Sequence, residues 1–339
     1  MRFFLVIKAR TALLCLLACF ALLTIAYFWR HSAQAFFPWG KKEVILMGHV
    51  LDPKAPDLEG QVAGLTESLK QPPVPAQYDE VNKAVVPDIH GFEIDIVGTV
   101  EKIRSARKGA NIIPVWRDVP AEKRLADFME LPIYQGNPLK RQVSLVVNVS
   151  WGNEYLEEIL DILAQEKAAA SFFLVGRWAE ANPQLVQRIL DLGHDLGNHG
   201  YSDPHMQDLS PEAIKDEITK TNEIVAGLTG FEIKWFSPPY GEKVEKIYSA
   251  AAELGLHTVL WSLDTVDWTL PGEDAIVERI VNNLHNGAIV LMHPTEQTPG
   301  ALRRILAALR EQGYRPVTVT ELLDPCYWPQ KYSSLWLGK

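Results

Sequence analysis

The second half of this 339-residue chain returns repeatedly to side chains that can move protons, hold a cation or stack on a ring. Ser150 and Trp151 follow the apolar run 144–149. His199, Asp203 and His205 follow residues 195–198, and Phe236-Ser237-Pro238-Pro239-Tyr240-Gly241 forms a tight turn. Asp264, Asp267 and Trp268 come at or after the run 258–263, and His293 follows 288–292. A histidine near a carboxylate can transfer protons or ligate a metal. A catalytic zinc takes three protein ligands and keeps a fourth position for water. His199 and Asp203 supply two; His205 is a third only if alternate residues of one turn face the same point. The Ser150 hydroxyl is far too weak a base unless another group activates it. Glu154, one helical turn on, could reach the same locus or simply complement a helix dipole from the first turn. Trp151, Trp235, Tyr240 and Trp268 suit stacking on sugar rings.

Positioning these groups needs a scaffold that brings distant segments to one place. From residue 138 onward, strands and helices alternate. Residues 144–149 read as a buried parallel strand, and 153–167 as a helix with Leu156, Ile159, Leu160 and Leu163 on one face. Strands at 171–175, 234–236, 258–263, 288–292 and 316–319 alternate with helices at 183–192, 210–228, 242–254, 274–284 and 299–312. Ser210 followed by Pro211 marks a helix start. The alternation implies parallel strands joined by right-handed crossovers, and so many repeats favour a barrel over an open sheet. Barrel enzymes carry their sites at the C-terminal strand ends, where all five clusters fall.

This layout resembles the polysaccharide deacetylase family (the NodB-homology domain), over about residues 132–324. The resemblance rests on Ser150-Trp151-Gly152 after the first strand, His199 to Asp203, Pro238-Pro239-Tyr240-Gly241, Asp267-Trp268 and Leu291-Met292-His293-Pro294. It implies an α/β fold, the family's distorted (β/α) barrel, and deacetylation of N-acetylated glycans. By the same resemblance His293 holds the general-acid position, the Tyr240 backbone amide serves the oxyanion, Asp267 belongs to the catalytic set, and Trp268 walls the acetyl pocket. Trp151, Pro239, Tyr240 and Trp268 become the substrate-binding set, with His199 and Asp203 left for a metal. The family's first strand ends in Thr-Phe-Asp-Asp-Gly, giving the base and a metal aspartate; Ser150 and Trp151 stand there. Ser237 replaces the arginine that orients the base, and Asp203 replaces the second metal histidine. Base, ligands and orienter thus change together. Residues 133–138, 148–155 and 284–295 further resemble a sporulation-associated, catalytically degenerate branch from endospore-forming bacteria.

The remaining sequence bounds location and partners. Residues 11–29 are 19 uncharged residues, enough to cross a hydrocarbon core of about 30 Å, and Arg2, Lys8 and Arg10 before them keep the N-terminus cytoplasmic. An anchored, extracytoplasmic protein is expected, with cleavage after Ala35 in Ala33-Gln34-Ala35 as the alternative. Of three cysteines, Cys15 and Cys19 fall in the apolar run and Cys326 stands alone outside, so no disulfide framework supports the fold. A net charge of −9 without a Lys/Arg stripe argues against nucleic acid. Residues 30–83 read as an extended linker region, 84–130 as a small α/β module and 325–339 as an aromatic tail. The expected partner is cell-wall glycan, of peptidoglycan or spore-cortex type. No cofactor is expected, with zinc or another divalent metal the exception to test. Three readings compete: a glycan binder with lost hydrolysis, a working N-deacetylase with a rebuilt site, and an envelope scaffold.

Overall fold

The computed structural model describes residues 43–327, in two compact units. The expected basic segment 1–10, membrane segment 11–29 and nearly all of the aromatic tail lie outside the described residues. No helix among the described residues is long and apolar enough to cross a membrane.

The described part of the smaller unit comprises residues 43–70 and 93–117. Val44–Leu46 turns back on His49–Leu51 through Met47 and Gly48, both with positive φ (51° and 82°), and pairs in parallel with Asn111–Ile112. Two consecutive residues of that conformation are what a two-residue hairpin turn requires. Helix Ile96–Ser105 starts at Asp95, whose Oδ1 accepts the Gly98 amide at 3.0 Å. Val44, Leu46, Leu58, Val62, Val100 and Ile103 fill the core. The helix Leu58–Thr66 corrects the expected extended linker 30–83. Gly60 and Gly64 weaken its helical signal, while Leu58, Val62 and Thr66, spaced by four, form its buried face.

The larger unit comprises residues 71–92 and, among those described, 118–327. Its main sheet is built from β1 (Gln142–Val149), β2 (Ser171–Leu174), β3 (Asp195–Asn198), β4 (Trp235–Phe236), β5 (His257–Thr258), β6 (Leu263–Asp264), β7 (Ile289–Met292) and β8 (Arg315–Val317), while Gln77–Asp79 and Ala84–Val86 form a separate antiparallel pair. The order is β5-β4-β3-β2-β1-β7-β6, all parallel, with β8 beside the start of β1. All eight residues of β1 are buried. Val143, Leu145, Val147 and Val149 join the cluster that includes the helices, while Val146 joins Phe173, Ile289 and Leu291 in another. The period of two separates the faces.

Helices α1 (Asn153–Glu166), α2 (Gly176–Ala181), α3 (Pro183–Asp191), α4 (Pro211–Thr229), α5 (Glu245–Glu253), α6 (Glu273–Val281) and α7 (Thr298–Glu311) lie in the crossovers, and α8 (Val319–Leu323) follows β8. Leu156, Ile159, Leu160 and Leu163 of α1 are buried as their spacing requires. Ser210 caps α4 by accepting the Ala213 amide at 3.2 Å.

The sheet curls without closing, which corrects the expected barrel. Among the described residues its end strands, β5 and β6, do not pair. The run 258–263, expected as one strand, is divided because its first part pairs with β4 and its last with β7. The seam is covered instead by residues 133–135, through bridges Ile133–Val259 and Gln135–Ala288.

Candidate functional site

Strand exits from β1, β3, β4, β6 and β7 carry the candidate residues of the larger unit. Beyond β1 the chain turns at Ser150 and Trp151 into Gly152, which has φ 78°. A Cβ on Gly152 would lie 2.1 Å from the Pro294 carbonyl, so the β1 and β7 exits touch here and only glycine fits. Trp151 is about half exposed (47%), as a stacking residue must be. Glu154 is exposed in the first turn of α1, the dipole-complementing position.

Asn198 at the end of β3 shapes the following loop. Its Nδ2 donates to the Ile218 carbonyl and to Asn222 Oδ1, and its Oδ1 accepts the Gly200 amide at 2.8 Å. Glu217 of α4 then accepts the amides of Tyr201 and Ser202 at 2.8 and 2.7 Å, and the Ser202 hydroxyl at 2.8 Å. The clamped loop delivers Asp203 with φ 62°. Burial raises the Asp203 carboxyl above its ordinary range, while Arg177, His293 and His205 pull it down.

His199 is buried, and its Nδ1–H donates to the Ser237 carbonyl at 2.8 Å, leaving Nε2 unprotonated. Burial pushes this imidazole down to about 4, the Ser237 carbonyl opposing and His293 assisting. His205 points elsewhere: its Nδ1 meets Glu242 Oε1 at 2.9 Å and its ring stacks on Tyr240 at 4.0 Å. No third His, Cys, Asp or Glu among the described residues converges with His199 and Asp203 into a metal-binding group. The donor set therefore does not fit a catalytic zinc with three protein ligands.

The turn after β4 holds Tyr240 at φ 60°, ψ 7°, a left-handed conformation costly for a non-glycine residue. Its ring is largely exposed, and its hydroxyl donates to the Asp203 carbonyl at 3.3 Å. Pro239, expected to contact substrate, is buried beneath the turn and supports it instead. Ser237 is also buried, and its Oγ has no hydrogen-bond partner; neither has Asn148 Oδ1 in β1. An orphaned buried hydroxyl is costly, which marks the Ser237 position as one shaped for other company.

Asp267 and His293 form the tightest pairing of the site. Asp267 is fully buried; its Oδ1 accepts His293 Nδ1–H at 2.9 Å, and its Oδ2 accepts the His293 amide at 2.7 Å and the Thr298 hydroxyl at 2.8 Å. This orients the imidazole and leaves Nε2 for proton transfer. Trp268 next door is 61% exposed. Asp264 plays a turn role, accepting the Val266 amide at 2.8 Å. Trp235, grouped with the aromatic mouth on sequence grounds, begins β4 rather than ending it. Its indole N–H donates to Thr320 at the opposite end of the sheet. Glu217, Glu242 and Thr298 carry no signal in the sequence, because each acts from an element remote in sequence from the residue it orients.

The polysaccharide deacetylase family model matches residues 135–259. The YlxY protein of Bacillus subtilis is 38% identical over 252 residues, covering 74% of this chain and 79% of that one. A peptidoglycan-N-acetylglucosamine deacetylase of Bacillus cereus is 40% identical over 181 residues, covering 50% of this chain and 82% of its own length. The chain belongs to the polysaccharide deacetylase family. The wild-type structure of BA3943 from Bacillus anthracis, a CE4 family pseudoenzyme, superposes with a TM-score of 0.68 at 34% identity, covering 80% of this chain and 96% of that one. A BA3943 mutant with restored enzymatic activity superposes with the same TM-score at 33% identity, over 80% of this chain and 99% of its own. The likeness to a degenerate branch of the polysaccharide deacetylases thus extends from the motifs to the backbone.

Proposed function

We propose that this protein binds N-acetylated cell-wall glycan at the strand-exit mouth and has lost the hydrolytic chemistry of its family. The observation that carries the reading is the end of β1, where Ser150 and Trp151 supply neither a base nor a metal carboxylate. The buried, unpartnered Ser237 hydroxyl supports it, because the group that would orient a base is missing from the same site. So does the divergence of His205, which leaves His199 and Asp203 two donors short of a closed site and one short of a catalytic one. Exposed Trp151, Tyr240 and Trp268 offer faces for pyranose stacking. Peptidoglycan deacetylases among the relatives point to peptidoglycan as the glycan class. The uncharged run 11–29 would tether the protein to the membrane with its globular part outside the cytoplasm, as an envelope component of a spore-forming lineage.

A second reading rests on the retained Asp267–His293 pair and Tyr240 turn: a working deacetylase with a non-standard site. One experiment separates the two. Purified protein is given N-acetylated peptidoglycan fragments, and acetate release, bound metal and glycan affinity are measured. The binder reading expects no acetate and an affinity reduced about 10-fold or more by Trp268→Ala. Acetate release with turnover, abolished by His293→Ala, would sink it.

A further inference from the structure

Away from the mouth, in the larger unit, His90, Asp118 and Cys326 bring three metal-ligating atoms within 4.8 Å of one another, the only such group among the described residues. We propose that these three side chains bind a zinc-class divalent cation, with Asp88 as the carboxylate that orients His90 from behind. The resemblance to deacetylases plays no part in this, since none of the four belongs to the strand-exit site.

The geometry sets the ligands out as three corners of a tetrahedron. Zinc with one sulfur, one nitrogen and one oxygen ligand at ordinary bond lengths has ligand–ligand edges of about 3.4–3.6 Å. Cys326 Sγ lies 3.7 Å from His90 Nδ1 and 3.9 Å from Asp118 Oδ2. The third edge, His90 Nδ1 to Asp118 Oδ2, is a 2.5 Å hydrogen bond that must open by about 1 Å to admit the ion. Asp118 is exposed and can yield that distance by side-chain rotation. Two backbone bonds hold the sulfur in place: the His90 amide donates to the Pro325 carbonyl at 2.9 Å, and the Cys326 amide to Asp324 Oδ1 at 2.9 Å.

The independent observation is Asp88. It is 2% exposed; its Oδ1 accepts the Leu125 amide at 2.8 Å, but its Oδ2 is buried with no hydrogen-bond partner, 3.7 Å from His90 Nε2. A cation on Nδ1 would move the imidazole proton to Nε2, facing that orphaned oxygen. Histidine ligands regularly donate their second N–H to a carboxylate in this way, and the arrangement fixes the tautomer and strengthens the ligand. The charge balance agrees. The carboxylates of Asp88, Asp118 and Asp324 outnumber the nearby Lys140 ammonium, an acidic excess that a divalent ion would offset. The Cys326 thiol is exposed and has His90 Nδ1 and Asp118 Oδ2 as its neighbours. Binding exchanges its proton for the metal, one proton released per thiolate formed. Asp88, His90 and Pro325 also line a groove of about 1050 Å³. The bound ion would tie the segment around Cys326 to the His90 and Asp118 segments.

The test uses the full chain carrying Cys15→Ser and Cys19→Ser, so that Cys326 is the single thiol. Cobalt(II) is added as a spectroscopic stand-in for zinc. The expected result is a thiolate-to-cobalt charge-transfer band that saturates at one equivalent and is displaced by zinc. The band should be absent in Cys326→Ser and retained in His199→Ala, and affinity should fall roughly 10–100-fold in Asp88→Asn. Absence of the band in the parent protein, or a band unchanged in His90→Gln, would overturn the proposal.

Discussion

Single side chains decide whether this site is a catalyst. By the motif resemblance, and on the proposed reading, Ser150, Trp151, Asp203 and Ser237 stand in place of a base, a metal ligand, a second metal ligand and an orienting arginine. Around them Asp267 still holds His293 through two accepted hydrogen bonds, and the Thr298 hydroxyl donates a third that braces the carboxylate. On the proposed reading the deficit is chemical, while the wall of the pocket persists. Restoring aspartates at 150 and 151 alone is expected to give little acetate release, because the base would lack its orienter and the metal one of its histidines. Adding Ser237→Arg and Asp203→His should raise turnover at least about 100-fold over the double variant, the low end of what a positioned acid–base group contributes. The measurement is acetate release in the presence of zinc. These four residues were legible in the sequence because they stand in recognisable frames. Glu217 and Glu242 were not, since a carboxylate that clamps a loop from a neighbouring element has no local signature.

At the scale of elements, the exits of β1 and β7 depend on one close approach. Gly152 combines φ 78° with a position where a Cβ would meet the Pro294 carbonyl at 2.1 Å. Gly152→Ala is expected to lower stability by about 2–4 kcal/mol, from left-handed strain together with the clash. The readout is the urea midpoint, with glycan affinity falling in parallel because Trp151 and His293 shift with their strand ends. Apolar runs predicted most strands and the buried face of α1, since burial on both sides leaves a continuous signal. Two failures have a common cause. Strands of two residues, such as β4 and β5, are too short to show a period. Grouping Trp235 with the aromatic mouth and expecting 258–263 as one strand both follow from that. The helix Leu58–Thr66 escaped notice because two glycines interrupt it.

Across the larger unit, the buried His194 and His199 and the partly buried His257 sit in positions that disfavour their charged form. Burial pushes His194, His199 and His257 each down to about 4 from the ordinary 6.5. Their folded values are depressed, so the stability they permit is complete above about pH 6.5. It is lost as pH falls toward 4, where the unfolded chain takes up protons that the folded one refuses. The loss reaches about 3 kcal/mol for the fully buried His199 and is smaller for the other two. Asp195 and Asp203, raised by burial, work in the opposite sense. The difference between parent and variant therefore isolates the effect. His194→Gln and His257→Gln should each flatten the dependence of the unfolding midpoint on pH between 6.5 and 4, and an unchanged slope would reject the assignment. The pairing of β1 has a further consequence, for folding order. Ser144 lies beside Ile289 on one edge and Val317 on the other, partners far downstream in the chain. Contacts of such sequence separation form slowly. The strand that carries Ser150 and Trp151 at its end is consequently among the first made and among the last completed. Until β8 emerges, the start of that strand lacks its last partner.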